Sequence, residues 1–212
     1  NWSDFFNVKH SISVNSCTSG LIAALGAIGI NPGDEVIVCT WTMCATATSV
    51  LVWNAIPVFA DIDKDTFTID PVSIENNVTN KTKAIIVTNI FGQSVNFIKI
   101  KQIATKFNLK IIEDNAQAPG ALYKEKYTGT IGDIGVFSLN YHKHIHTGEG
   151  GMCVTNNDEY AEKLQLIRNH GEAVVKGKGV ENIENIIGFN FRMGEIEAAI
   201  GIEQLKKLPF II

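Results

Sequence analysis

The run Lys83-Ala84-Ile85-Ile86-Val87-Thr88-Asn89-Ile90 is dense in apolar and β-branched residues, with little polar alternation through its centre. A strand of that kind is buried on both faces, as in a parallel sheet covered by helices. A helical pattern over Phe97–Phe107 and a second strand pattern over Lys110–Asp114 follow it. Strand, helix, strand is the repeating unit of a parallel α/β sheet. The same alternation continues outward. Glu35–Cys39, Pro57–Asp61, Gly135–Leu139 and Met152–Thr155 read as further strands. Ser19–Ile28, Thr42–Trp53, Pro71–Asn77, Asp158–Asn169 and a last stretch near Gly194–Lys207 read as helices. Asn31-Pro32-Gly33-Asp34 is a stop-and-turn signal after the first of these. The expected fold is therefore α/β and doubly wound, with helices on both faces of a mostly parallel sheet. Lys176-Gly177-Lys178-Gly179 is expected to be a mobile loop.

At 212 residues and 45% hydrophobic, the chain suits one globular domain with a large core. A net charge of −4 gives no reason to expect nucleic acid or an anionic membrane as partner. No apolar stretch is long enough to span a bilayer. The start, Asn1-Trp2-Ser3-Asp4-Phe5-Phe6, has no basic region followed by an apolar run. Cys17, Cys39, Cys44 and Cys153 form no C-x-x-C pair and read as reduced core residues, so a cytoplasmic location is expected. Both ends look cut: the chain opens inside a helical pattern and stops on the apolar tail Leu208-Pro209-Phe210-Ile211-Ile212, where no closing helix is expected.

In open α/β sheets ligands bind beyond the carboxyl ends of the strands. Asp114 ends one strand, while Ser138 and Lys143 lie at or beyond the end of another. Thr18 and Ser19 follow the apolar run Ile12–Val14 and open a helix. These positions are expected to converge on one rim. A lysine in a Gly- and His-rich turn between apolar strands suits Schiff-base chemistry, which needs a nucleophilic amine. A strand-end aspartate suits the protonated ring nitrogen of pyridoxal 5'-phosphate (PLP). Gln117 is placed to hydrogen-bond the cofactor's ring oxygen. The helix opening at Ser16-Cys17-Thr18-Ser19-Gly20 offers free N–H groups to a phosphate, with Ser138 adding a hydroxyl.

Duller and rival readings exist for each. Lys143 could be a solvated loop lysine, Asp114 a backbone cap and Ser16–Gly20 a plain helix start. His142, His144 and His146 would share one face of an extended segment and could hold zinc, though no matching Cys, Asp or Glu spacing accompanies them, and no metal is expected. A dinucleotide site lacks its glycine fingerprint. A non-catalytic α/β module is the remaining alternative.

Several segments taken together resemble one family. They are Val14-Asn15-Ser16-Cys17-Thr18-Ser19-Gly20-Leu21, Pro32-Gly33-Asp34-Glu35-Val36-Ile37-Val38, Glu113-Asp114-Asn115-Ala116-Gln117-Ala118, Phe137-Ser138 through Lys143 to Gly148-Glu149-Gly150-Gly151, and Gly188-Phe189-Asn190-Phe191-Arg192-Met193. In this order they resemble the DegT/DnrJ/EryC1/StrS aminotransferases, PLP-dependent sugar aminotransferases of fold type I, from about Phe5 to Leu208. The resemblance implies a three-layer α/β/α domain like the large domain of aspartate aminotransferase. Residues 1–212 would be that cofactor-binding domain, cut at both ends and without a smaller C-terminal domain.

The resemblance also implies roles. Lys143 would form the Schiff base and shuttle the proton, and Asp114 would pair with the ring nitrogen. Gln117 would contact the ring oxygen, and Thr18, Ser19 and Ser138 would hold the phosphate. Asn190 would reach the phosphate of a neighbouring subunit, implying a homodimer. The implied substrates are a nucleotide-linked keto-sugar and an amino-acid donor, glutamate, for polysaccharide or glycan synthesis. Two positions depart from the family pattern. Met43 stands where relatives often place an aromatic ring over the cofactor, with Trp41 as the alternative, and Asn89 stands where histidine is common. Sugar 3-dehydratases of the same family carry histidine in place of the Schiff-base lysine; lysine at position 143 favours transamination.

Overall fold

The computed structural model describes residues 1–172 and 186–212. The loop expected over Lys176–Gly179 lies outside the described residues. In chain order the elements are α1 (Trp2–Phe6), β1 (His10–Val14), α2 (Cys17–Ala27), β2 (Glu35–Cys39), α3 (Cys44–Leu51), β3 (Ile56–Ala60), α4 (Pro71–Asn77), β4 (Thr82–Thr88), α5 (Phe97–Phe107), β5 (Lys110–Asp114), β6 (Leu122–Tyr123), β7 (Lys126–Tyr127), β8 (Ile134–Ser138), β9 (Gly151–Thr155), α6 (Asp158–Arg168) and α7 (Glu195–Ile211). Seven strands form one sheet in the order β1-β9-β8-β5-β4-β2-β3. Strands β3, β2, β4, β5 and β8 run parallel, whereas β9 lies antiparallel between β8 and β1. The mostly parallel α/β sheet read from the sequence is the observed one.

Alternating side chains along each strand divide the core. One face buries Val36, Val38, Ile86, Ile112 and Val136 under α2, α3 and α6. The other buries Ile37, Ile85, Val87 and Ile111 under α4 and α5. On that second face Phe137 and Val154 pack against Trp2, Phe6, Leu205 and Leu208 from α1 and α7. These helices give the three-layer arrangement that the resemblance implied. Local chemistry fixes their starts. Asp70 accepts from Val72 N and Ser73 N ahead of Pro71, a first-turn proline, so α4 begins where the sequence puts it. Asn96 and Asn157 cap α5 and α6 in the same way.

Three local readings need correction, and one element was not read at all. The helix expected from Thr42 starts at Cys44, after an extended Met43. Ile90 belongs to a short 3-10 turn over Ile90–Gly92 rather than to β4, because Phe91 adopts a left-handed backbone with φ 55°. Helix α7 runs through the apolar tail to Ile211 with Pro209 inside it, where no closing helix was expected. Burial of Leu205 and Leu208 in the core supports that turn against the proline's helix-breaking tendency. The β6–β7 hairpin, two residues per strand, is too short to leave a periodic signal. Among the described residues no helix is long and apolar enough to cross a membrane.

Candidate active site

Parallel strands β4, β5 and β8 end at one edge of the sheet, and their last residues Thr88, Asp114 and Ser138 line a cavity of about 500 Å³. Ser16, Cys17 and Thr18 from the start of α2 form a second wall, Thr42, Met43 and Ala45 at the start of α3 a third, and Asn140, His142, Lys143 and Glu149 from the loop between β8 and β9 a fourth. A larger hollow of about 960 Å³ lies between Gly26, Trp53 and Ile167. Its described lining offers one titratable side chain, Lys163, so we place the chemistry in the smaller cavity.

Asp114 is the buried charge of this site. Its Oδ2 accepts from Thr46 Oγ1 at 2.7 Å, and its Oδ1 from Ala116 N at 3.2 Å. Burial pushes its carboxyl above the ordinary aspartate range; Thr46, Ala116 and the positive charge of Lys143 pull the other way. None of the ion pairs among the described residues includes Asp114. A buried carboxylate fixed by two donors, but with no cation bonded to it, is what a protonated ring nitrogen would complete.

The other donors suit the rest of the same cofactor. Gln117 Oε1 accepts from Phe91 N at 2.9 Å, which orients the carboxamide and leaves its NH2 to donate. Ser16 is the N-cap of α2, its Oγ accepting from Ser19 N at 3.1 Å. The N–H groups of Cys17 and Thr18, at the first two helical positions, have no intrahelical acceptor and suit an anion. Ser138 Oγ stands opposite them at the end of β8, accepting from Asn140 N at 3.3 Å.

Lys143 sits five residues past β8, in a turn rather than at the strand's end. Its N–H donates to Asn140 O at 2.9 Å. The Asn140 side chain accepts from His142 N at 3.2 Å and donates to Glu149 Oε1 at 2.7 Å. Asn140 thus ties together both ends of the loop that carries the lysine.

Six of the eight expected residues come together here: Thr18, Met43, Asp114, Gln117, Ser138 and Lys143. Ser19 does not line the cavity; its hydroxyl is 2.9 Å from Ser16 Oγ, and Ser16 faces the cavity instead. Asn190 is also outside it, bridged to Asn169, with its carbonyl accepting from Asn15 Nδ2 at 3.3 Å. Met43 lines the cavity, whereas Trp41 turns toward Phe67 with ring centroids 6.4 Å apart. Asn89 is buried away from the cavity, donating to Glu113 Oε2 and Asn115 Oδ1. The histidine segment is a turn, so its three rings share no face: His142 lines the cavity, His144 is exposed and His146 is half-buried beside Gln204. Among the described residues no three metal-ligating side chains come together.

Sequence reasoning passed over Thr42, Thr46 and Thr88. No spacing rule marks them, because Thr42 precedes the extended Met43 and only Thr46 lies within α3. Thr88 pairs in register with Asp114.

Comparison with known proteins identifies the family. The model of the DegT/DnrJ/EryC1/StrS aminotransferase family matches residues 1–212, and the chain belongs to that family. It is 42% identical over 211 residues to a GDP-perosamine synthase of Caulobacter vibrioides, an alignment covering 98% of this chain and 55% of that protein. The chain thus spans about half the length of the curated relatives it matches. An aminotransferase structure from Psychrobacter cryohalolentis superposes with a TM-score of 0.91 at 38% identity, covering 99% of this chain and 55% of the other. A GDP-4-keto-6-deoxymannose-3-dehydratase, described with a trapped PLP-glutamate geminal diamine, superposes with a TM-score of 0.89 at 33% identity, covering 98% and 59%.

Proposed function

We propose, starting from that membership, that the chain is the cofactor-binding part of a PLP-dependent aminotransferase that moves an amino group from glutamate to a nucleotide-linked keto-deoxy sugar. The observation that carries this is the placement of Lys143 and Asp114 in one cavity with a helix N-terminus on its wall. When bound, PLP supplies an electron sink for the carbanion formed at the amino-bearing carbon.

The chain's own residues do the rest. Ser16, Thr18, Ser138 and the N–H groups of Cys17 and Thr18 hold the phosphate, with Ser19 bracing Ser16. Asp114 would orient the ring and favour the protonated form of its nitrogen. The Gln117 NH2 would donate to the ring oxygen, and the Met43 thioether would pack against the cofactor. Lys143 Nζ would anchor the cofactor and, once displaced by the donor's amino group, would accept the proton from the amino-bearing carbon and hold it at Nζ as the general acid of the following step. The Asn140 clamp on the lysine turn limits where that nitrogen can sit.

The keto-sugar assignment is motivated by the GDP-perosamine synthases, and a role in polysaccharide synthesis by a spore coat polysaccharide biosynthesis protein among the relatives; glutamate as donor and a cytoplasmic location are carried over from the family resemblance of the sequence. A homodimer, with Asn190 reaching the partner's phosphate, is part of the same proposal; its exposure outside its own cavity supports it. Likeness to a dehydratase gives a second reading within the family, in which the same cofactor serves deoxygenation. Lysine at position 143 favours transamination.

Two measurements test the proposal. Lys143→Ala is expected to remove both the visible absorbance of bound PLP and turnover, a fall of at least about a hundredfold. An unaltered cofactor spectrum in that variant sinks the assignment. Incubation with glutamate and a panel of nucleotide keto-sugars is expected to release 2-oxoglutarate. Sugar deoxygenation without that co-product identifies a dehydratase instead.

A further inference from the structure

Three threonine hydroxyls lead in series to the buried Asp114 carboxylate. Thr88 Oγ1 lies 3.0 Å from Thr42 Oγ1, which is 2.8 Å from Thr46 Oγ1, which is 2.7 Å from Asp114 Oδ2. Each hydroxyl has one proton to donate, and an ionised carboxylate can only accept. Thr46 therefore gives its proton to Asp114, its oxygen accepts from Thr42, and Thr42 accepts from Thr88. With every proton pointing the same way, the series ends by presenting a donor to an ionised Asp114. A protonated Asp114 could donate in turn and reverse it. Such bonds in a low-dielectric interior polarise one another, so the last is stronger than an isolated one.

Geometry also fixes the carboxyl plane. Thr46 holds Oδ2 and Ala116 N holds Oδ1, so rotation would cost both bonds. Thr46 is fully buried at the first turn of α3, and Ser49 Oγ donates to its carbonyl at 2.8 Å, steadying that turn. Cys17 Sγ from α2, at 4.0 Å, and Lys143 from the loop after β8 also act on Asp114. Cys17 does not substitute for the threonine: burial and the charge of Asp114 push its thiol well above the usual range, leaving a weak donor.

We propose that Thr46, supplied by Thr42 and Thr88, is a positioning residue that holds Asp114 as an oriented, ionised acceptor for the ring nitrogen of the cofactor. This rests on reading the cavity as a PLP site. Burial works against ionisation of Asp114, and Thr46 is foremost among the groups opposing it.

Thr46→Val removes the hydroxyl and keeps the shape; Thr46→Ser restores the hydroxyl. In the cofactor-free full chain, carbon NMR of the Asp114 carboxyl reads its titration directly. The valine variant is expected to titrate about one pKa unit higher, the equivalent of one charged hydrogen bond, and the serine variant to return to the wild-type value. With PLP added, the dissociation constant is expected to rise about tenfold in the valine variant and to recover in the serine variant. The bound-cofactor spectrum should shift toward the form with an unprotonated ring. If Thr46→Val fails to fold, Thr42→Val interrupts the series one bond further out and should move the same titration by a smaller amount. An Asp114 titration unchanged in the valine variant overturns the proposal. So does a loss confined to thermal stability, with PLP affinity within about twofold of wild type. Failure of the wild-type protein to bind PLP overturns the functional reading instead, and the cofactor-free titration still decides the Thr46–Asp114 link.

Discussion

Asp114 is held in a state its surroundings disfavour. Burial raises its proton affinity in the fold above that in the unfolded chain. Its contribution to stability is therefore fully present below the ordinary carboxylate range and is lost as pH rises through the raised value. Asp114→Asn, without a charge to desolvate, is expected to unfold at higher temperature than the wild-type cofactor-free chain near neutral pH, with the gap closing in acid. Paired thermal scans across pH measure this; a gap that is constant with pH contradicts the raised titration. The same variant should bind PLP more weakly, so the site trades stability for affinity. Lys143 and Asp114 were legible in the sequence because each stands out from its neighbours: a cation in a Gly- and His-rich turn, a carboxylate closing an apolar strand. Thr46 was not legible, because a threonine inside Cys44–Leu51 looks like helix filler until its partner across the fold is known. Ser19 was taken for Ser16 for a related reason. Both carry hydroxyls at the helix start, and only the N-cap geometry decides which one faces the cavity.

The strand β5 separates two adjacent acids by its period of two. Asp114 points toward α2 and α3, while Glu113 points to the opposite face. There Glu113 accepts from Gly129 N, Ile131 N, Gly132 N and Asn89 Nδ2, fastening the loop before β8. One strand thus positions the site with one residue and anchors its surroundings with the next. The first residue of β9 makes a second such link. A methyl group on Gly151 would lie 2.7 Å from the Ser16 carbonyl carbon and 2.8 Å from Cys17 N, backbone atoms that cannot turn aside. Gly151→Ala should push the start of α2 away, costing about 1–3 kcal/mol and weakening PLP phosphate binding together. Urea unfolding and a PLP titration check both; a variant with full stability and affinity refutes the close fit. Apolar runs made β2 and β5 readable to the residue, whereas β4 was read two residues too far. Strand direction was harder: composition does not distinguish β9, antiparallel on both sides, from its parallel neighbours. The end of α7 was misread because proline propensity is local, whereas the burial of Leu205 and Leu208 that sustains the helix is tertiary.

Over the whole molecule, apolar residues remain exposed on α7 and around the cavity mouth. Phe210 is 92% exposed, Ile196 77% and Phe91 70%. Exposed apolar surface of that kind suits association between copies. If Asn190 serves the partner's site, mixing Lys143→Ala and Asn190→Ala subunits should restore activity, since one site in each hybrid dimer has both residues intact. Recovery of turnover on mixing, with sedimentation at the dimer mass, is the expected result. Two inactive parents that stay inactive when mixed place Asn190 in its own subunit's chemistry or outside it altogether. The sheet order has a further consequence, in time rather than space. His10 on β1 pairs with Thr155 on β9, so β1 finds its neighbour only after 145 further residues have been made. At about 5–20 residues per second of synthesis, β1 and the start of α2 wait about 7 to 30 seconds for that partner. Closing so long a loop is also slow in refolding. The phosphate wall is therefore among the last parts of the cavity to form, and a nascent chain that captures PLP has already assembled its sheet.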